Sequence, residues 1–180
     1  TSGTHPIGSL ADLKGFKIRV PPSPLAVSMF KALGAAPGTL NFIELYTALQ
    51  THVFDGQENP LSIINTEKFY EVQKYVSMTN HMWDGFWMLC NGAAWNHLPD
   101  DVRQVVSREL ARAADEDRND IAALNSSIAG QLKGKGMQFN TPDTAPFRAR
   151  LKRTGFYGHW RKEFGAGAWS ALESYVGPLA

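Results

Sequence analysis

The sequence predicts an α/β fold, with a parallel or mixed sheet covered by helices, on three observations. The first sixty residues alternate strand and helix signals. Along 16–20, apolar Phe16, Ile18 and Val20 alternate with Lys17 and Arg19. From Pro99 onward, apolar residues keep helical spacing with no proline or glycine until Gly130. The alternation puts Phe16, Ile18 and Val20 on one face of the first strand. Arg19 therefore leaves the sheet on the side away from the core, at the carboxyl end of its strand, where open α/β sheets bind ligands.

The elements follow in order. Ser23 and Pro24 read as the N-cap and first position of a helix whose apolar stripe is Leu25, Met29, Phe30 and Leu33 and whose stop is Gly34. Residues 40–42 read as a second short strand, Leu45 and Leu49 line the helix after it, and Asp55-Gly56 is a turn. Residues 68–75 suit a short helix with Phe69, Val72 and Tyr75 near one side. Residues 83–90 are aromatic enough for a buried strand, from which Asn91 breaks away. Val102, Val105, Val106, Leu110, Ala113, Ala114, Ile121, Leu124, Ile128 and Leu132 then favour one continuous helix. At about 1.5 Å per residue, roughly 32 residues run close to 50 Å, longer than a domain of this size is wide, so this helix bridges two lobes or reaches a partner. A strand at 137–139 and an aromatic helical tail, opened by Thr141-Pro142-Asp143 and running through Phe147, Leu151, Trp160 and Phe164 to Trp169 and Tyr175, complete the chain.

At 180 residues, 43% apolar and 19% charged, the chain can build one substantial core or two modest lobes. Eighteen basic and 17 acidic residues leave a net charge of +1, so no global field favours nucleic acid or an anionic membrane, and an anion site must be local. No apolar stretch approaches the ~18 to 20 residues that span a bilayer. The lone Cys90 cannot form an intrachain disulfide and resembles a small buried hydrophobe. His5, His52, His81, His97 and His159 show no metal-ligand spacing, and GxSxG, GxxxxGK and GxGxxG patterns are absent. Neither a metal nor a cofactor is expected, although catalytic groups scattered in sequence can still meet in space.

Arg19 is the leading candidate for chemistry, because guanidinium is a planar fork of donors that grips a carboxylate through two charge-assisted bonds. The competing reading is a structural ion pair with Glu44 or Glu58. Val20-Pro21-Pro22-Ser23-Pro24 stiffens the backbone behind the arginine. Asn59, held extended by Pro60, offers an amide that donates to a ligand oxygen or accepts from a hydroxyl. Trp83, Asp84 and Trp87 supply flat walls and one carboxylate, with core packing the plainer reading of Trp87. A hydrolase using Asp84 or His81, or a ligand-sensing domain, are the alternatives to a binding protein.

The run Leu13-Lys14-Gly15-Phe16-Lys17-Ile18-Arg19-Val20-Pro21, then Phe42-Ile43-Glu44-Leu45-Tyr46-Thr47-Ala48-Leu49-Gln50-Thr51, then Asp55-Gly56-Gln57-Glu58-Asn59-Pro60, resembles in order and spacing the solute-binding component of TRAP transporters. Lys68-Phe69-Tyr70-Glu71-Val72-Gln73-Lys74-Tyr75 and Thr79-Asn80-His81 continue the resemblance. It implies a periplasmic-binding-protein-like, two-lobed protein outside the cytoplasm that closes over a small organic carboxylate and delivers it to the membrane permease subunits. It also implies that Arg19 forms the carboxylate salt bridge, that Asn59 hydrogen-bonds the ligand and that Phe42 and Ser23 lie against it. Trp83 and Asp84 match a variable position that tunes ligand choice. On this resemblance, residues 1–84 form the second ligand-binding lobe, 85–124 a strand and long helix belonging or bridging to the first lobe, and 125–180 the return and C-terminal helices. Members carry most of a first lobe ahead of the arginine strand, so the chain reads as a partial member, and self-association through the surface that lobe would cover is expected.

Overall fold

Strand β1 (Lys17–Val20) forms where the alternation places it, with Ile18 and Val20 buried and Lys17 exposed, in a computed structural model that describes residues 1–83 and 85–179. It is the centre of a parallel trio with β2 (Ala36–Thr39) and β3 (Gly56–Gln57), in register Arg19 to Gly38 and Arg19 to Gln57. A second parallel pair joins β4 (Tyr75–Ser77) to β5 (Gln138–Asn140). Ser2 stitches the two parts together, because it bridges antiparallel to both Gly56 and Tyr75. Its amide donates to the Tyr75 carbonyl at 2.9 Å and its carbonyl accepts from the Tyr75 amide at 2.8 Å.

Helix α1 (Pro24–Leu33) realises both of its sequence signals. Ser23 Oγ accepts from the Ala26 amide at 3.4 Å, and Gly34 closes the helix in the left-handed conformation at φ 99°, which an L side chain adopts only with strain. Its buried residues Ala26, Met29, Phe30 and Leu33 pack on Phe16, Ile18 and Val20, joined by Leu151 of α6 (Ala145–Arg153). Alongside lies α7 (Phe156–Val176), kinked at Gly165, with Trp160 Nε1 donating to Ser28 Oγ at 2.9 Å. A second cluster joins Leu45 and Leu49 of α2 (Leu45–Gln50) and Ile64 of α3 (Leu61–Thr66) to Phe69, Val76, Ile128, Leu132 and Met137. Two cores around a parallel sheet meet the need of such sheets to be covered on both faces.

Several local expectations give way to tertiary context. The second strand lies at Ala36–Thr39, and Phe42–Glu44 is a 3-10 turn. Ala-Pro-Gly-Thr has weak strand propensity, but β2 is an edge, where proline's missing donor is tolerated, and the Ala36 amide locks register by donating to the Phe16 carbonyl at 2.9 Å. Gly56 belongs to β3 and not to a turn: a Cβ there would lie 2.7 Å from Phe16 Cζ and closer still to the Thr1 carbonyl oxygen. Gly56→Ala is expected to cost about 1–3 kcal/mol in urea unfolding, through forced displacement of that contact, and an unchanged midpoint would show the strands can part freely. Residues 68–75 divide into a 3-10 turn, Phe69–Glu71, and the start of β4.

The largest departure is at 83–90. The described residues there form no regular structure, with Trp83 85%, Phe86 83%, Trp87 83% and Leu89 89% exposed, and Cys90 is exposed as well. This corrects the buried strand, the buried Cys90 and the core role of Trp87. Aromatic strand propensity measures packing against neighbours, and no strand among the described residues lies beside this run.

Asn91 caps α4 (Gly92–His97) through a 3.1 Å bond from the Ala94 amide. The predicted long helix is continuous as α5 (Asp100–Gly134), 35 residues, or about 52 Å at the α-helical rise. Its apolar stripe is nonetheless mostly uncovered: Ile128 and Leu132 are buried at the end that packs on α3, while Val102, Val105, Leu110 and Ile121 are exposed. Exposed pairs such as Arg112 with Glu109 and Glu116 add only tenths of a kcal/mol each, so this length rests on helix propensity more than on packing. No helix among the described residues is long and apolar enough to cross a membrane.

Candidate functional site

Arg19 points opposite to Ile18 and Val20 yet is 3% exposed, because Phe42 and the neighbouring strand close around it. Its Nε and Nη2 both donate to the Leu40 carbonyl, at 3.0 and 2.7 Å, and its Cζ sits 6.0 Å from the centre of the Phe42 ring. Phe42 in turn meets the buried Phe69 edge to face, with centroids 6.2 Å apart. One edge of the guanidinium is thus pinned by backbone. The other nitrogen, Nη1, has no hydrogen bond among the described residues and is not sealed from solvent.

Neither Glu44 nor Glu58 forms an ion pair with Arg19 among the described residues. Glu58 lies instead 3.3 Å from His81 Nε2, and His81 Nδ1 is 2.7 Å from Thr79 Oγ1. Burial holds the Arg19 guanidinium below its ordinary pKa, and the charge of Glu58 acts in the opposite direction. Guanidinium stays protonated through the physiological range regardless. A buried cation without a carboxylate in contact is costly, and an anionic ligand on the Nη edge would relieve that cost.

Asn59 stands beyond β3, two residues after Gln57, and donates through Nδ2 to Gln57 Oε1 at 2.5 Å. Gln57 is in register with Arg19, so the three side chains share one face at the carboxyl ends of β1 and β3. Ser23 sits at the same end of β1, with its hydroxyl engaged in capping α1. Trp83 is not brought against Arg19; it lies at the start of the exposed run, and Asp84 lies outside the described residues. The structure therefore gathers Arg19, Phe42 and Asn59, places Ser23 at their edge and leaves Trp83 apart.

Two contributors were missed by sequence reasoning. The Leu40 carbonyl carries no sequence signal, since any residue offers one. Gln57 was findable, because in an extended run it shares the face of Asn59. The arrangement is an open wall and not a cavity: two depressions of about 450 Å³ lie elsewhere, one beside Trp95 and Arg103, the other beside Tyr46, Tyr70 and Lys74. Among the described residues no group of His, Cys, Asp and Glu is placed to hold a metal ion.

Residues 1–155 match the family described as bacterial extracellular solute-binding protein, family 7. The chain is similar to the sialic acid-binding periplasmic protein SiaP of Vibrio cholerae, 34% identical over 152 residues, which are 84% of this chain and 47% of that protein. Among solved structures it is similar to a TRAP periplasmic solute-binding protein from Roseobacter denitrificans with bound L-galactonate, at TM-score 0.81 and 38% identity, covering 86% of this chain and 51% of that one. A TRAP periplasmic solute-binding protein from Polaromonas sp. JS666 bound to D-erythronate gives TM-score 0.90 at 30% identity, covering 96% of this chain and 57% of that one. The chain spans about half the length of the curated relatives it matches. These relatives are solute-binding proteins and not enzymes.

Proposed function

We propose that this chain, which belongs to family 7 of the bacterial extracellular solute-binding proteins, forms one wall of a cleft that binds a small organic acid through an Arg19 salt bridge. The observation that carries the reading is the guanidinium itself: buried over Phe42, oriented by the Leu40 carbonyl, without an ion pair among the described residues and open at Nη1. That geometry leaves the Nη edge to take both oxygens of a carboxylate. Asn59 supplies the neighbouring polar contact, Phe42 the apolar floor and Ser23 the edge, and Trp83 and Asp84 tune which acid is taken.

Sialic acid, L-galactonate and D-erythronate, the ligands of the relatives, are all organic acids with a carboxylate for Arg19 to grip. In this reading residues 1–84 and 125–180 belong to the second lobe, and 85–124 bridge to the first. Exposed Trp83 and residues 86–90, with the uncovered stripe of α5, are then surfaces that the rest of a two-lobed fold would cover, and through them the isolated chain self-associates. The compartment is the periplasm, and the partners are the permease subunits of a TRAP transporter.

A melting assay with succinate, D-erythronate, L-galactonate and N-acetylneuraminate tests the reading. An acid present at ~100 times its dissociation constant stabilises by about 2.7 kcal/mol, which raises the midpoint by roughly 5–10 °C at this size. Millimolar concentrations are required, because half a cleft buries less of the ligand. No shift with any acid at tens of millimolar would overturn the proposal.

A further inference from the structure

Behind Asn59 runs a buried line of polar side chains whose direction is set at its far end. Gln73, 5% exposed, donates through Nε2 to the Val72 carbonyl at 3.0 Å, which only the amide nitrogen can do. Its Oε1 must then be the acceptor from Thr1 Oγ1, at 3.0 Å. With its proton given to Gln73, that hydroxyl can only accept from Gln57 Nε2, at 2.9 Å, which turns Gln57 Oε1 toward Asn59 Nδ2. Gln57 is 1% exposed, and the opposite arrangement would turn its Oε1 against a Thr1 hydroxyl that has no proton left to give, acceptor against acceptor.

We infer that this relay from the Val72 carbonyl through Gln73, Thr1 and Gln57 locks the Asn59 amide with Oδ1 presented as a hydrogen-bond acceptor, and that the site therefore selects carboxylic acids bearing a hydroxyl group. Asn59 Oδ1 has no partner among the described residues and is not sealed from solvent. A carboxylate has no proton to give it, so an unsubstituted acid would leave this acceptor unpaired once water is displaced, whereas a ligand hydroxyl donates to it. Gln57 and Gln73 are positioning residues: neither touches the ligand, and both act through the orientation of Asn59. The inference rests on the reading of Arg19 as the carboxylate anchor and adds the chemical class of the acid.

The test compares D-erythronate with butyrate, four-carbon acids with and without hydroxyls, by calorimetric titration. D-erythronate is expected to bind about tenfold tighter or better, the yield of one satisfied acceptor. Gln57→Leu should narrow the ratio to within about threefold. If Gln57→Leu does not fold, Gln73→Met breaks the relay at its far end and must narrow the ratio likewise. A readout without ligand is the side-chain amide of Asn59 by NMR, with one proton shifted and slow to exchange in the native chain and neither in Gln57→Leu. Equal, Arg19-dependent binding of the two acids would overturn the selectivity and leave the anchor standing. Failure of both acids to bind would overturn the anchor and the selectivity together, and a freely exchanging Asn59 amide would overturn the relay.

Discussion

Arg19→Lys is expected to weaken carboxylate binding by about a hundredfold or more, since each hydrogen bond between charged groups contributes about 1.5–3 kcal/mol and the lysine loses the fork that makes two of them. The native guanidinium divides its labour: Nε and Nη2 hold the Leu40 carbonyl at 3.0 and 2.7 Å, and the remaining edge faces outward. An ammonium has a single nitrogen, so it can reach for the carbonyl or for the ligand but cannot be oriented by one while serving the other. The charge survives the substitution; the geometry does not. Titration of D-erythronate or succinate into wild type and variant, with circular dichroism to establish that both are folded, measures the difference. An affinity within about threefold of wild type would assign Arg19 a structural role and remove the proposed mechanism.

The second large effect is on the support beneath the site. Phe69 is 1% exposed in the second core cluster, and its ring meets Phe42 edge to face under the Arg19 guanidinium. Phe69→Ala should cost about 3–5 kcal/mol in urea unfolding, the sum of lost burial and an unfilled cavity, while Phe69→Leu should cost well under half of that. Because Phe42 then loses its buttress, residual folded protein should also bind acids more weakly. A loss below about 1 kcal/mol for Phe69→Ala would mean that the cluster closes around the gap and that Phe42 is held by other contacts.

Much of the fold was legible where the signal is local. The alternation at β1 and the Ser23, Pro24 and Gly34 signals of α1 depend on residues a few positions apart, and those elements formed as read. The continuous α5 followed from helical spacing unbroken by proline, yet the same spacing did not tell which of its apolar residues would be covered. Residues 83–90 show the limit most clearly. Their composition describes a strand that belongs inside a sheet, but being inside requires neighbours, and the described residues provide none.

The candidate site divides in the same way. Arg19 and Asn59 could be named from residue chemistry and position, since a guanidinium at a strand's carboxyl end and an amide before proline have restricted uses. Gln57 looked like one polar residue in a turn. Its burial and its role depend on Thr1, 56 residues away, and on Gln73 beyond it.

By itself the sequence determined the α/β class, the main helices and the family, and it singled out Arg19 and Asn59 as candidates, because each is encoded in near-neighbour spacing or in a run of residues with little freedom. Only the tertiary structure decided that Arg19 is held by the Leu40 carbonyl and by no acid among the described residues, that Ser2 joins two strand groups, and that a buried relay stands behind Asn59. Those contacts join residues far apart in the chain, and which distant partners meet is set by how two cores pack around one sheet.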